Sequence, residues 1–213
     1  MSTPLKHPIA LRNEHIATKE TVIRVKQHSK SLSGGDFTIS EWPTEESGEG
    51  AKLFTVDGSA KSLSQRSYVR DASGLPLFEL YRKRTGMSWF VELPGENRSP
   101  DPIATFAPKW SSLKDKFDVY VRNNAGGDEV ILEVRGQDIW KIKTHVYYNG
   151  ALAMVARRTD YLVPYIPGKR PEWEVKVAEG LDLSLASLIT VVIAHMLYNS
   201  SYPSSLSGKK PEP

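Results

Sequence analysis

Residues 181–198 read LDLSLASLITVVIAHMLY, from Leu181 to Tyr198, and no other stretch of the chain resembles them. From Leu183 to Tyr198 the run is too long for a strand and predicts a helix. Asp182 stands where an N-cap belongs, its carboxylate able to accept the orphan N–H groups of the first turn. Asn199, with Pro203 soon after, is the expected stop. The helix has no polar face. Leu183, Leu185, Leu188, Ile189, Val191, Val192, Ile193, Met196 and Leu197 cover its whole circumference, broken only by Ser184, Ser187, Thr190 and His195. Hydroxyls of this kind bond back to their own helix. A helix apolar all round must be enclosed by protein or by lipid. Sixteen residues reach roughly 24 Å, short of the ~30 Å hydrocarbon core, so no membrane span is expected. Burial inside the protein is the expectation.

What can enclose it lies upstream. Between Thr21 and Trp173 short runs rich in Val, Ile, Phe, Tyr and Trp alternate with polar residues and break at Gly, Asn, Asp or Pro. That is the period-two pattern of half-buried antiparallel strands. The runs are 22–27, 37–42, 52–56, 67–70, 77–83, 88–93, 103–107, 117–122, 130–134, 139–144, 145–148, 152–158 and 173–178. Allowing for merged runs, about twelve strands are expected. Asn149-Gly150 predicts a type I′ hairpin turn, which needs positive φ at both positions. Asp71-Ala72-Ser73-Gly74 predicts a second hairpin. Residues 29–35 and 44–50 read as polar loops, and Tyr161 to Pro171, with three prolines, as an extended surface crossing. A sheet of twelve strands escapes exposed edges by closing, and the closed form is too wide for its own side chains to fill. A helix about 10 Å across fits the hole. The expected fold is therefore mainly β, a closed antiparallel barrel of about twelve strands around a central buried C-terminal helix.

The domain is expected over residues 21–198, with 1–20 as an N-terminal tail or irregular segment and 199–213 as a disordered tail. A chain of 213 residues, 39% hydrophobic and 25% charged, suits one soluble domain. A net charge of +3 does not mark a nucleic-acid binder. With no cysteine, disulfides, thiolate metal sites and cysteine nucleophiles are excluded. The first twenty residues lack the apolar run of a signal peptide, so the expected location is the cytoplasm, peripheral at membranes or nuclear.

Several segments, in order, resemble the LURP-one-related family. They are VRDASGLPLF (69–78) with WFV (89–91), FDVYV (117–121) with LEVRG (132–136), NGALAMVARR (149–158) and WEVKVAEGLDLSL (173–185). The resemblance spans residues 52–198. It implies a tubby-like barrel around a central helix, a fold shared with tubby C-terminal domains and phospholipid scramblases. Ala194-His195 stands where an acidic residue is expected from the resemblance. Because fold does not fix function, no ligand residue is carried over.

No chemistry of catalysis or metal binding is visible. His7, His15, His28, His145 and His195 fall at no metal-ligand spacing, and no nucleophile, phosphate-loop or paired-carboxylate motif occurs. His195 is expected to be a neutral core histidine with one hydrogen-bond partner. No catalytic residue, metal or cofactor is expected. The five tryptophans are expected to fill or rim the barrel. The candidate binding residues are basic: Arg82, Lys83, Arg84, Lys141, Lys143, Arg157 and Arg158, with Lys169-Arg170 nearby in sequence. Charge at strand ends ordinarily just keeps edges solvated. Converging cations also suit phospholipid headgroups, each adding about 1 kcal/mol near an anionic membrane. Tubby domains bind phosphoinositides, and the resemblance points the same way. The expected function is a non-enzymatic binding or scaffolding module for phosphoinositide headgroups. Scramblase-like lipid handling and a protein–protein interaction module are the alternatives.

Overall fold

A computed structural model of the chain describes residues 4–28, 35–43, 48–58, 66–83, 86–95, 101–109, 116–138, 142–160, 162 and 169–201. Twelve strands follow one another: β1 (Thr21–Gln27), β2 (Phe37–Glu41), β3 (Lys52–Gly58), β4 (Ser67–Asp71), β5 (Pro76–Arg82) and β6 (Trp89–Glu92), then β7 (Ala104–Lys109), β8 (Lys116–Arg122), β9 (Glu129–Gly136), β10 (Lys143–Tyr148), β11 (Ala151–Arg158) and β12 (Glu172–Val177). Each pairs antiparallel with the next, and β1 pairs with β12, so the barrel is closed. Helix α1 (Leu183–Ser201) follows. The expected strand over 139–144 does not stand alone. Thr144 joins 145–148 in β10, Ile142 precedes that strand, and 139–141 lie outside the described residues. The expected stop at Asn199 is overrun, since α1 is helical to Ser201.

Both predicted turns form. Asn149 and Gly150 have φ of 47° and 80°, the pair of positive values that joins β10 to β11 without splaying them. In the β4–β5 hairpin, Asp71 Oδ1 accepts from the amides of Ser73 and Leu75 and from the Ser73 hydroxyl. Those bonds hold its carboxyl below the usual carboxylate range, the Ser73 hydroxyl most of all.

Period-two alternation turns every second residue inward, and α1 fills the space they leave. Twelve strands at ~4.8 Å spacing and ~40° tilt trace a backbone circle about 24 Å across. About 12 Å then separates the helix axis from the wall, room for one layer of side chains from each. Leu185, Ala186, Leu188, Ile189, Val191, Val192 and Ala194 are all within 1% of complete burial. Ser187 and Thr190 donate to the carbonyls of Leu183 and Ala186, one turn back.

Strand direction assigns the two ends. Even-numbered strands begin where α1 finishes, and there Phe37, Trp89, Phe117 and Trp173 are buried around the helix. Trp110 and Trp140 lie outside the described residues. At the opposite end the strap 4–20, including a 3-10 turn Asn13–His15, crosses the mouth and buries Ile9, Ala10, Leu11 and Ala17. Ile9 bridges Leu181 and Ile16 bridges Asp182. Gly180 has φ of 91°, and a Cβ there would come within 3.2 Å of Leu5, so the close crossing of strap and chain needs glycine.

Asp182 joins all three parts. Its carboxylate is fully buried. Oδ1 accepts from the Ser184 amide (2.6 Å), the Ser184 hydroxyl (2.7 Å) and the Leu185 amide (3.3 Å), and Oδ2 from the Leu11 and Arg12 amides (2.9 Å each). Asp182→Ala removes the helix cap and orphans two strap amides. The expected loss is about 3 kcal/mol in chemical denaturation. Leu188→Asp or Val192→Asp places an unpaired charge in the core, costing several kcal/mol, and is expected to abolish soluble expression. Normal yield and melting of either variant would refute the enclosed helix.

Candidate anion-binding stripe

The predicted basic residues that the structure describes fall at one end of the barrel, the end where α1 finishes. Odd strands end there and even strands begin there, which brings Arg82, Lys83, Lys143, Arg157 and Arg158 to a common rim. Arg84 and Lys141 lie outside the described residues. Adjacent residues of a strand face opposite ways. Arg157 is exposed on the outer wall, whereas Arg158 is turned inward, only 3% exposed, at the register position facing Trp173. Only one member of that pair is available to a partner outside.

Register adds residues that their sequence neighbourhoods do not mark. Lys109 lies directly opposite Lys116, Lys116 opposite Arg135, and Lys143 opposite Arg157. Arg135 also faces His145, two residues along β10 from Lys143. All five cations are exposed, so a basic stripe crosses the outer wall from β7 to β11 near one rim. At the end of β5, Arg82 stands on the inward face opposite buried Trp89, and exposed Lys83 follows it at the rim. The Arg82 Nε donates to the Gly86 carbonyl (2.9 Å), and the Lys83 Nζ sits 4.8 Å from the Phe90 ring centre.

Like charges opposite one another in a sheet cost stability rather than add it. Two members of the stripe are compensated. Lys109 contacts Asp118 at 2.5 Å, a bond that raises the lysine's pKa, and Arg135 pairs with Glu133. Lys116, Lys143 and Arg157 have no ion-pair partner among the described residues. Desolvation, and next the charge of Lys143, lowers the pKa of His145, whose Nδ1 meets the Tyr147 hydroxyl at 2.9 Å.

His195 lies inside the same end. Its ring stacks on Trp89 (4.8 Å between centres, 21°) and meets Phe37 edge-on at 5.9 Å. Nε2 is buried and finds no hydrogen-bond partner among the described residues. Burial lowers its pKa to about 4, so the expected neutral form is the one this packing favours.

The family model described as LURP-one-related matches residues 21–194, beginning well before the segments that carry the resemblance. A solved Arabidopsis thaliana protein is similar in structure, with a TM-score of 0.61 at 18% identity, covering 92% of this chain and 99% of that one. No curated protein matches the sequence. Among the described residues, no helix is long and apolar enough to cross a membrane.

Neutral His195 makes stability depend on pH in a defined window. Unfolded, the imidazole takes up a proton below about pH 6.5, while the folded form resists until about pH 4. Its contribution is therefore intact above pH 6.5, declines as pH falls toward 4, and is exhausted below. The expected loss is about 2–3 kcal/mol by denaturant titration. His195→Leu should flatten that segment of the profile.

Proposed function

This chain belongs to the LURP-one-related family, and we propose that it is a non-enzymatic, tubby-like binding module whose basic stripe engages anionic phospholipid headgroups, phosphoinositides foremost, at a membrane surface. The observation that carries the reading is the run of exposed like charges in register at Lys116, Lys143 and Arg157, none of them in an ion pair among the described residues. Holding like charges in register is unfavourable until an anion arrives between them. A multiply charged headgroup is such an anion.

The interior supports the same reading from the other side. A barrel that turned over a small molecule or carried a lipid in its lumen would need space there. Here α1 occupies it, packed on every side. That favours a surface partner over both catalysis and scramblase-like handling. The headgroup residues proposed are Arg82, Lys83, Lys143 and Arg157, joined by Lys116.

Co-sedimentation with phosphatidylcholine vesicles tests it, with and without a few mole per cent of phosphatidylinositol bisphosphate, at low salt. Retention is expected only with the phosphoinositide. Lys116→Glu, Lys143→Glu and Arg157→Glu combined should weaken it about a hundredfold, at about 1 kcal/mol or more per cation. Equal retention on both vesicles, or none on either, overturns the proposal.

A further inference from the structure

The stripe contains one group whose charge is not fixed. His145, partly buried, stands on the outer face of β10. Register puts Arg135 of β9 directly opposite it on one side and Val155 of β11 on the other. Lys143 precedes it and Tyr147 follows it on the same face of its own strand. Opposite residues of a sheet lie about 5 Å apart, and residues two apart on one strand about 7 Å. Behind these neighbours stand Lys116, opposite Arg135, and Arg157, opposite Lys143. The imidazole is set among cations.

The carboxylates nearby are already engaged. Glu133, opposite Tyr147, pairs with Arg135. Asp138 accepts from the amides of Ile142 and Lys143. Glu174, opposite Arg157, lies 3.6 Å from Lys176, which itself faces Val155. The Tyr147 hydroxyl meets Nδ1 at 2.9 Å, a contact that the neutral and the charged ring can both make. Nε2 is shielded from solvent and has no partner among the described residues. Desolvation disfavours the charged ring, and Lys143 disfavours it further. A phosphorylated headgroup seated on these cations brings about two negative charges per phosphate close to the same ring and reverses that balance.

Resting on the reading of the stripe as a headgroup site, we infer that His145 is a further positioning residue of that site, neutral in the free protein and protonated when a phosphorylated headgroup is bound, so that the stripe holds an anionic membrane more tightly as pH falls. The proton comes from water and settles on the ring nitrogen that lacks one. A ligand that favours the protonated ring is itself favoured by protons, and by the same factor. Well above the ordinary imidazole range, near pH 6.5, the ring is neutral whether or not the headgroup is bound, and the gain vanishes. It grows as pH falls through that range. Lysine and arginine stay charged throughout and give no such slope.

Affinity for phosphatidylcholine vesicles carrying phosphatidylinositol bisphosphate, measured from about pH 8 to about pH 5.5, tests this with the wild type and His145→Gln. Glutamine keeps a hydrogen-bonding side chain and cannot titrate. The lipid phosphates and His195 also respond to pH, and the ratio of the two proteins removes both contributions. That ratio, wild type over variant, is expected to rise about fivefold to tenfold across the range. A packing defect alone would lower the variant's affinity equally at every pH. In the wild type, the NMR titration midpoint of the His145 ring should move up by about one pH unit when soluble inositol hexakisphosphate is added. A constant ratio, or a midpoint that the anion leaves in place, overturns the role of His145 and leaves the headgroup reading standing. Absence of wild-type retention at every pH overturns both.

Discussion

Everything in this fold meets at the buried carboxylate of Asp182. A carboxylate without water is costly unless its lone pairs are used, and five donors use them here. Three belong to the first turn of α1 and two to the strap. One group therefore starts the helix at the mouth of the barrel and fastens the lid over the place where it starts. The aromatic closure at the far end depends on the same placement. Phe37, Trp89 and Trp173 have a helix to pack on only because α1 enters in line with the barrel axis.

Closing the sheet and filling it have a consequence for function. No sheet edge is left to recruit a strand, and the lumen is occupied. What remains for recognition is the outer wall and the two rims. Strand order and register distribute charge over that surface unequally. Lys116 stands between Lys109 and Arg135, and Lys143 stands opposite Arg157, which faces Glu174 on its other side. A barrel held rigid by its central helix presents this pattern as a fixed surface, with little ordering left to do on contact.

The helix, both hairpins and the closed barrel were legible because each rests on local rules: a run apolar on every side, Asn-Gly, and alternation with a period of two. Half of Asp182 was legible too. Its capping of Ser184 and Leu185 follows from position, but its grip on Leu11 spans 171 residues and leaves no mark in either segment. For that reason residues 1–20 read in the sequence only as a tail or irregular segment. The stripe was visible only in part. Lys143 and Arg157 stood out beside other cations, whereas Lys109, Lys116 and Arg135 are single charges in three separate runs that register alone assembles. Proximity in sequence also misled, since Arg157 and Arg158 are neighbours on the chain and lie on opposite faces of the wall.

The central claim is that helix, strap and barrel form one cooperative unit through Asp182. Native-state hydrogen exchange as a function of denaturant reads this directly. The account predicts that amides from Leu188 to Ala194 exchange only through global unfolding, with the same free energy and denaturant dependence as those of β1 and β12. Helix amides that exchange through a cheaper opening, while the strands stay protected, would show that the helix leaves the barrel on its own and would contradict the account.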